Sequence, residues 1–205
     1  MTFFARLGRK VNMQVENFFG DLPTLYTERL ILRKLTLDDA KDLFEFASDP
    51  EVAKYVSWEP YKSIDDAVNF LKFTLEQYEK KQPARWGIVY KENNKLIGTC
   101  GFVDWDPSHF RAEIAYALSR DYWGKGIMTE AVKEAIKFGF EKMNLNRIYA
   151  FSFPENVGSY TVMEKVGMKY EGLIREYMYI KGKFQDLKLY SILKREYLEQ
   201  KGKIY

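Results

Sequence analysis

Thiols and imidazoles are almost missing from this chain: Cys100 is its one cysteine and His109 its one histidine among 205 residues. One thiol forms no internal disulfide and no thiol-rich metal site. One imidazole leaves no His pair for a catalytic zinc, and any nucleophilic triad would have to be built on His109. No bound metal is expected. Charge of one sign is scarce as well, since 32 Lys+Arg against 29 Asp+Glu leave a formal net charge of +3. That is a mixed surface rather than a nucleic-acid footprint. No apolar run approaches the roughly 18–20 residues that cross a bilayer. At the start of the chain Arg6, Arg9 and Lys10 follow a short apolar patch, the reverse of the order in a secretory signal. Together with the missing cysteine pairs this favours the cytoplasm. Neither nucleic acid nor membrane is expected as a partner. What the chain does have is apolar material, 46% of residues with 17% aromatic, enough for a proper core.

No repeat, low-complexity tract or Pro/Gly linker divides the chain, so one domain is expected over 23–200, behind a flexible N-terminal extension, 1–22. Residues 27–34 read as a strand. Thr36 precedes Asp39 by three positions, a capping-box pattern, and opens a helix to Ser48 that Asp49-Pro50 stops. Ser63 and Asp66 repeat the signal ahead of a helix with Ala67, Phe70, Leu71, Leu75 and Tyr78 on one stripe. Residues 85–91 and 96–104 read as a hairpin about Glu92-Asn93-Asn94, and 111–118 as a further strand. A helix over 124–142, a strand over 147–153, a short helix over 156–166 and a last hairpin, 170–180 with 184–193, complete the order β-αα-ββ-β-α-β-α-ββ. This is an α/β chain with a mixed, mostly antiparallel seven-stranded sheet flanked by helices.

Chemistry concentrates in Ala112-Glu113-Ile114-Ala115-Tyr116-Ala117-Leu118 and the stretch that follows, Tyr122-Trp123-Gly124-Lys125-Gly126-Ile127-Met128-Thr129-Glu130-Ala131. A strand runs into Gly-x-Gly, and the glycines open an amphipathic helix. Inward-turned backbone N–H groups and the helix N-terminus make such a junction suited to a phosphate or pyrophosphate. By itself Gly124-Lys125-Gly126 fits a plain tight turn equally well. A P-loop is excluded, because no Gly-x4-Gly-Lys-Ser/Thr occurs. The dinucleotide fingerprint is excluded too, since Thr129 stands where its third glycine belongs.

Taken in order, four pieces resemble the GNAT N-acetyltransferases, and most closely the branch of ribosomal-protein Ser/Ala N-terminal acetyltransferases. They are Thr27-Glu28-Arg29-Leu30-Ile31-Leu32-Arg33, the 112–131 stretch, Asn156-x-x-Ser159 with Glu164-Lys165-Val166-Gly167-Met168, and Gly172-Leu173-Ile174-Arg175 with Gly182 and Asp186. The resemblance covers nearly all of 25–195 and implies a single-domain GNAT fold with acetyl-CoA as cosubstrate. It implies that the backbone of Tyr116, Ala117 and Leu118 pairs with the pantetheine arm. Amides from Tyr122, Trp123, Gly124, Lys125, Gly126, Ile127, Met128 and Thr129 would hold the pyrophosphate. Asn156 would bond the pantetheine, Ser159 would lie near the thioester sulfur, and Lys125 or Lys165 would meet the terminal phosphate unless both are simply solvated. Two departures stand out. Asp121 occupies a position where the family often has Gln or Arg. Met163 occupies that of the tyrosine which protonates the leaving thiolate in many relatives. Ser159 is the substitute used in the branch it resembles, with Tyr160 or Tyr177 as alternatives.

Glu113 is the candidate base, acting directly or through water; its alternative is an ion pair with Arg111 or Arg147. Ser159 is either the acid at the thiolate or a hydroxyl capping a helix start. An α-amine with pKa ~7.7–8.0 costs about 1 kcal/mol to neutralise at pH 7, against about 4–5 for a lysine near 10.4, so weak bases suit N-terminal amines. The acceptor pocket is expected between the first helix pair and the closing hairpin, from Trp58, Glu59 and Tyr177. These aromatics with Glu59 fit either a cationic amine or ordinary core. His109 reads as a surface-loop residue and Cys100 as core. The expected activity is acetyl transfer to a primary amine, foremost the N-terminal α-amine of a protein such as a ribosomal protein. The alternatives are a small-molecule acetyltransferase (polyamine, amino sugar or amino-acid-like acceptor) and a CoA-binding module without turnover. Monomer and homodimer are both open.

Overall fold

The computed structural model describes residues 18–202. Two short strands open the ordered chain, β1 (Leu25–Tyr26) and β2 (Leu30–Arg33), followed by helices α1 (Ala40–Ala47), α2 (Pro50–Ala53) and α3 (Ile64–Glu79). Then come β3 (Arg85–Tyr90), β4 (Lys95–Asp106), β5 (Arg111–Leu118), α4 (Ile127–Glu141), β6 (Arg147–Ser152), α5 (Val157–Lys165), β7 (Lys169–Ile180), β8 (Lys183–Leu193) and α6 (Lys194–Gly202). They form one mixed sheet in the order β1-β2-β3-β4-β5-β6-β8-β7. Its eight strands correct the expected seven. The addition is β1, whose two residues pair with Leu32 and Ile31 but are too few to show alternation.

Period-2 alternation splits the core between the two faces of the sheet. Leu30, Leu32, Trp86, Ile88, Phe102 and Ile114 turn to one face, against Ala131, Val132 and Ala135 of α4. Ile31, Val89 and Leu96 turn to the other, against Leu43, Phe46, Ala67 and Leu71 of α1 and α3. Phe19 and Leu22 are buried in the first of these clusters. The packed body therefore includes residues 18–22, which the sequence reading gave to the extension; the rest of that extension, 1–17, lies outside the described residues. The strand expected over 27–34 shortens to Leu30–Arg33 because Thr27 turns back, its N–H donating to the Leu30 carbonyl at 3.0 Å. Asp39 accepts from the Thr36 N–H at 2.8 Å, which gives the helix start its signature. Asp49-Pro50 ends α1 but also begins α2. The Asp49 carboxylate accepts from the Glu51 N–H at 2.9 Å, and proline occupies a first-turn position where no N–H is needed. The unforeseen α6 has no apolar stripe. It is docked by Tyr197, whose ring lies 5.0 Å from that of Phe140 and whose hydroxyl donates to Glu141 at 2.6 Å.

One feature of the sheet positions the site. Strand β5 pairs with β4 along its whole length, but with its parallel neighbour β6 only through Arg111↔Arg147, Ala112↔Ile148 and Glu113↔Tyr149. Beyond Glu113 the two strands separate. The backbone of residues 114–118 is left without a ladder partner on that side, in the interior of the sheet.

Candidate active site

The gap between β5 and β6 opens into a cavity of about 1020 Å³. Its walls carry Glu113 and Ile114–Leu118 of β5, the junction residues Tyr122, Trp123, Gly124, Gly126, Ile127, Met128 and Thr129, and Asn156, Ser159, Met163 and Lys165 around α5. The 112–131 stretch and the Asn156-x-x-Ser159 segment, far apart in sequence, thus face each other. The open edge of β5 offers N–H and C=O groups to an extended ligand, as a sheet edge does to an added strand.

At the junction, Gly124 and Gly126 have φ of +72° and +73°, a region that strains any residue with a Cβ. A Cβ built on Gly124 would meet nothing within 4 Å, so a ligand can approach the backbone there. α4 begins at the next residue, and its free N–H groups and dipole favour an anion. An acid in the first turn would oppose this, but Glu130 is occupied. Its carboxylate accepts from Thr27 Oγ1 at 2.5 Å, from the Arg29 N–H at 2.9 Å and from Arg29 Nε at 2.7 Å. Arg29 also donates to the Lys125 carbonyl at 2.9 Å. It braces the glycine turn, a role that the sequence concealed by placing Arg29 in an apparent strand. The Lys125 side chain leaves the cavity, its Nζ 5.5 Å from the Tyr122 ring centroid, whereas Lys165 lines the wall.

Glu113 stands at the point where the strands part. Arg111 pairs with Asp106 at 3.2 Å and Arg147 with Glu171 at 2.6 Å, so neither forms the ion pair considered for Glu113. Burial pushes the Glu113 carboxyl up to about 7. Nearby Asp104, brought opposite by an irregularity in the β4–β5 register, adds to the rise, and the Arg85 cation opposes it. A carboxylate that titrates near neutrality in a cleft has the property required of a general base.

Across the gap, the Asn156 side-chain oxygen caps α5, accepting from the Ser159 N–H at 3.1 Å, and its amide N–H groups remain available in the cavity wall. The Ser159 hydroxyl caps nothing. It lies 3.3 Å from the Tyr116 hydroxyl, which also donates to the Ser159 carbonyl at 2.9 Å. Burial raises the Tyr116 pKa well above the phenol range, so it stays protonated. The sequence carries no signal for this hydroxyl pair, since its members lie 43 residues apart. Met163 is buried in the wall. The two alternative tyrosines lie outside it: Tyr160 sits against Tyr190 with Lys188 Nζ 4.0 Å from its ring centroid, and Tyr177 packs behind Phe151 at 4.7 Å.

Of the expected acceptor residues, Trp58 lines the cavity, 5.3 Å from the Tyr61 ring. Glu59 and Tyr177 do not, because the loop turns Glu59 away and Phe151 intervenes before Tyr177. His109 is exposed beside Asp106, with Nδ1 to Oδ2 2.8 Å. Cys100 is buried, its thiol pushed up to about 12. Among the described residues, no group of three His, Cys, Asp or Glu could hold a metal, and no helix is long and apolar enough to cross a membrane.

An open strand edge leading to a glycine-turned helix N-terminus suits an extended ligand that ends in a phosphate, and residues 29–169 match the acetyltransferase (GNAT) domain model. The chain belongs to the GNAT acetyltransferase family: it is an N-acetyltransferase that uses acetyl-CoA. It is 43% identical over 176 residues to the uncharacterized N-acetyltransferase p20 of Bacillus licheniformis, covering 86% of this chain and 99% of that one. It is 26% identical over 172 residues to a spermidine N(1)-acetyltransferase of Vibrio cholerae, covering 84% and 97%. The solved ribosomal-protein-S5-alanine acetyltransferase of Vibrio fischeri superposes with a TM-score of 0.71 at 26% identity, over 84% of this chain and 97% of that one.

Proposed function

We propose that the protein acetylates the N-terminal α-amine of a protein substrate, a ribosomal protein being the class suggested by one structural relative's name. The observation that carries this reading is Glu113, a cavity carboxyl whose pKa of about 7 lies within about one unit of an α-amine and more than three below a lysine. Acetyl-CoA supplies the acetyl group, activated as a thioester. The open edge of β5 and the Asn156 amide hold its arm, and the amides of residues 122–129 take its phosphates, with Lys165 as a cation in the cavity wall. Glu113, directly or through one water, accepts the proton that the attacking amine loses. Ser159, backed by the Tyr116 hydroxyl, returns a proton at sulfur. Both the acetyl donor and a ribosomal acceptor are cytoplasmic, which is where this reading puts the protein.

A polyamine acceptor, suggested by the spermidine relatives, is opposed by Arg85, whose cation lines the same cavity. CoA release measured with Ser- and Ala-starting peptides, spermidine and an aminoglycoside separates the readings. Turnover on the peptides alone is expected; turnover confined to spermidine would overturn the proposal.

A further inference from the structure

Arg85 is out of place for a structural arginine. It begins β3, an apolar strand, and its side chain turns to the α1–α3 face, where the guanidinium lies 6.0 Å from the Phe70 ring centroid. Both residues line the cavity, together with Trp58, Tyr61 and Glu113. Arg85 is half-buried, and a charge withdrawn this far from water is usually paired. Arg85 nonetheless forms no ion pair and no side-chain hydrogen bond among the described residues, and no buried side-chain donor in them lacks a partner. Its N–H groups therefore reach open space, and Arg85 borders both this cavity and a smaller pocket beside Thr74 and Gln77. Burial depresses its pKa, with the Glu113 charge the largest opposing influence, yet a guanidinium stays charged throughout the physiological range.

The register places this charge relative to the chemistry. Arg85 lies opposite Gly101, and Gly101 opposite Ala115, so Arg85 is level with Ala115 and two residues along from Glu113 on the same face. Two strand spacings separate the backbones by roughly 10 Å. The glycine between them is required, because a Cβ on Gly101 would come within 2.5 Å of the Arg85 Cα. The phosphate-binding amides of α4 lie toward the opposite end of β5, beyond Leu118, so Arg85 is not at the phosphate end of the cradle.

We propose that Arg85 is a specificity-determining residue that receives a carboxylate carried by the acceptor close to its reacting amine. This deepens the α-amine reading and rests on it for the place of the amine at Glu113. The planar fork of a guanidinium accommodates a carboxylate through two parallel hydrogen bonds. The aromatic wall from Phe70, Trp58 and Tyr61 shields that pair from water. Such a carboxylate has two sources, an Asp or Glu just after the N-terminus of a chain, or the α-carboxylate of a free amino acid or dipeptide.

The test compares initial rates on matched acceptors, Ser-Asp-Ala-Ala-amide against Ser-Asn-Ala-Ala-amide, and Ser-Ala with a free carboxylate against Ser-Ala-amide. Wild type, Arg85→Met and Arg85→Lys are used, the last keeping the charge should the methionine variant fold poorly. Wild type is expected to favour the carboxylate member of one pair about 100-fold in kcat/KM, chiefly through KM. Arg85→Met should reduce that preference to a few-fold, leaving KM for acetyl-CoA unchanged, and Arg85→Lys should retain part of it. The pair that shows the preference names the source. A preference in the dipeptide pair alone would overturn the protein α-amine reading while upholding Arg85. Calorimetric titration of the N-acetylated Ser-Asp product into CoA-loaded protein reads the same contact without turnover. Equal rates within both pairs in wild type, or a preference undiminished in Arg85→Met, would overturn the assignment. An equal loss on every acceptor with a shifted pH profile would instead make Arg85 only a tuner of Glu113.

Discussion

Glu113→Gln should disable the enzyme and stabilise it at the same time. In the fold the carboxyl titrates near 7, whereas in the unfolded chain it titrates near its ordinary value of about 4.3. The folded state thus holds this proton more tightly, and the contribution of Glu113 to stability declines as pH rises from about 4 to about 7. At pH 8 the full linkage would be about 4 kcal/mol. Glu113 lines an open cavity into which water penetrates, and discounting for that leaves about 1–2 kcal/mol. For a chain of this length 1 kcal/mol moves Tm by roughly 2–4 °C. The glutamine variant should therefore melt several degrees above wild type at pH 8, and within about one degree of it at pH 5. Over the same interval kcat of the wild type at saturating acceptor, which is free of the titration of the unbound α-amine, should rise with pH through an inflection near 7 and then level. Glu113→Gln should lower kcat by about 100-fold or more and lose that inflection. Calorimetry at the two pH values, with a pH–rate profile on a Ser-starting peptide, checks both halves. Equal Tm differences at pH 5 and pH 8, or an inflection near 7 that survives in the variant, would refute the argument that Glu113 is a desolvated base.

The other side of the gap makes its own predictions. Ser159→Ala should lower kcat about 10- to 100-fold while KM for acetyl-CoA stays near wild type, because the hydroxyl acts at sulfur and the Asn156 cap does not use it; an unchanged kcat would remove Ser159 from the mechanism. Gly126→Ala forces a side chain into φ +73°, costs about 1–2 kcal/mol, and should raise KM for acetyl-CoA about tenfold with little change in kcat. Arg29→Ala removes the cationic partner of Glu130 beside the α4 N-terminus, leaving it the Thr27 hydroxyl and the residue 29 N–H, and should raise the same KM severalfold; the double variant with Glu130→Ala should recover part of it, the coupling being read from the four-member cycle. His109→Ala should leave kcat/KM unchanged on every acceptor.

How much of this was legible in the sequence differed along the chain for physical reasons. The helix from Ile127 could be read because Met128, Ala131, Val132, Ala135 and Ile136 keep its period and Gly124 and Gly126 mark its start. Thr36 with Asp39 and Ser63 with Asp66 announced their helices by local hydrogen bonding that depends on nothing distant. Three things stayed hidden because each is settled by a partner far along the chain. A basic residue opening an apolar strand looks the same whether it meets solvent or a cavity, which concealed Arg85. Thr27 and Arg29 extend a strand pattern until Glu130, a hundred residues later, claims them. The Tyr116 hydroxyl acquires meaning only when α5 sets Ser159 against it. Glu59 and Tyr177 lie outside the cavity wall for a related reason: an acidic residue in a neighbouring loop or an aromatic on a neighbouring strand does not by its position establish which way it faces.

Acetyl transfer to an α-amine by Glu113 and Ser159, facing across the parted strands, leaves a product of defined position. It is tested most directly by incubating the protein with acetyl-CoA and a Ser-starting peptide that also contains an internal lysine, then locating the acetyl group by fragmentation mass spectrometry. Acetylation is expected at the N-terminal amine, lost in Glu113→Gln and Ser159→Ala. Acetyl on the lysine, or N-terminal acetylation that persists at full rate in both variants, would contradict it.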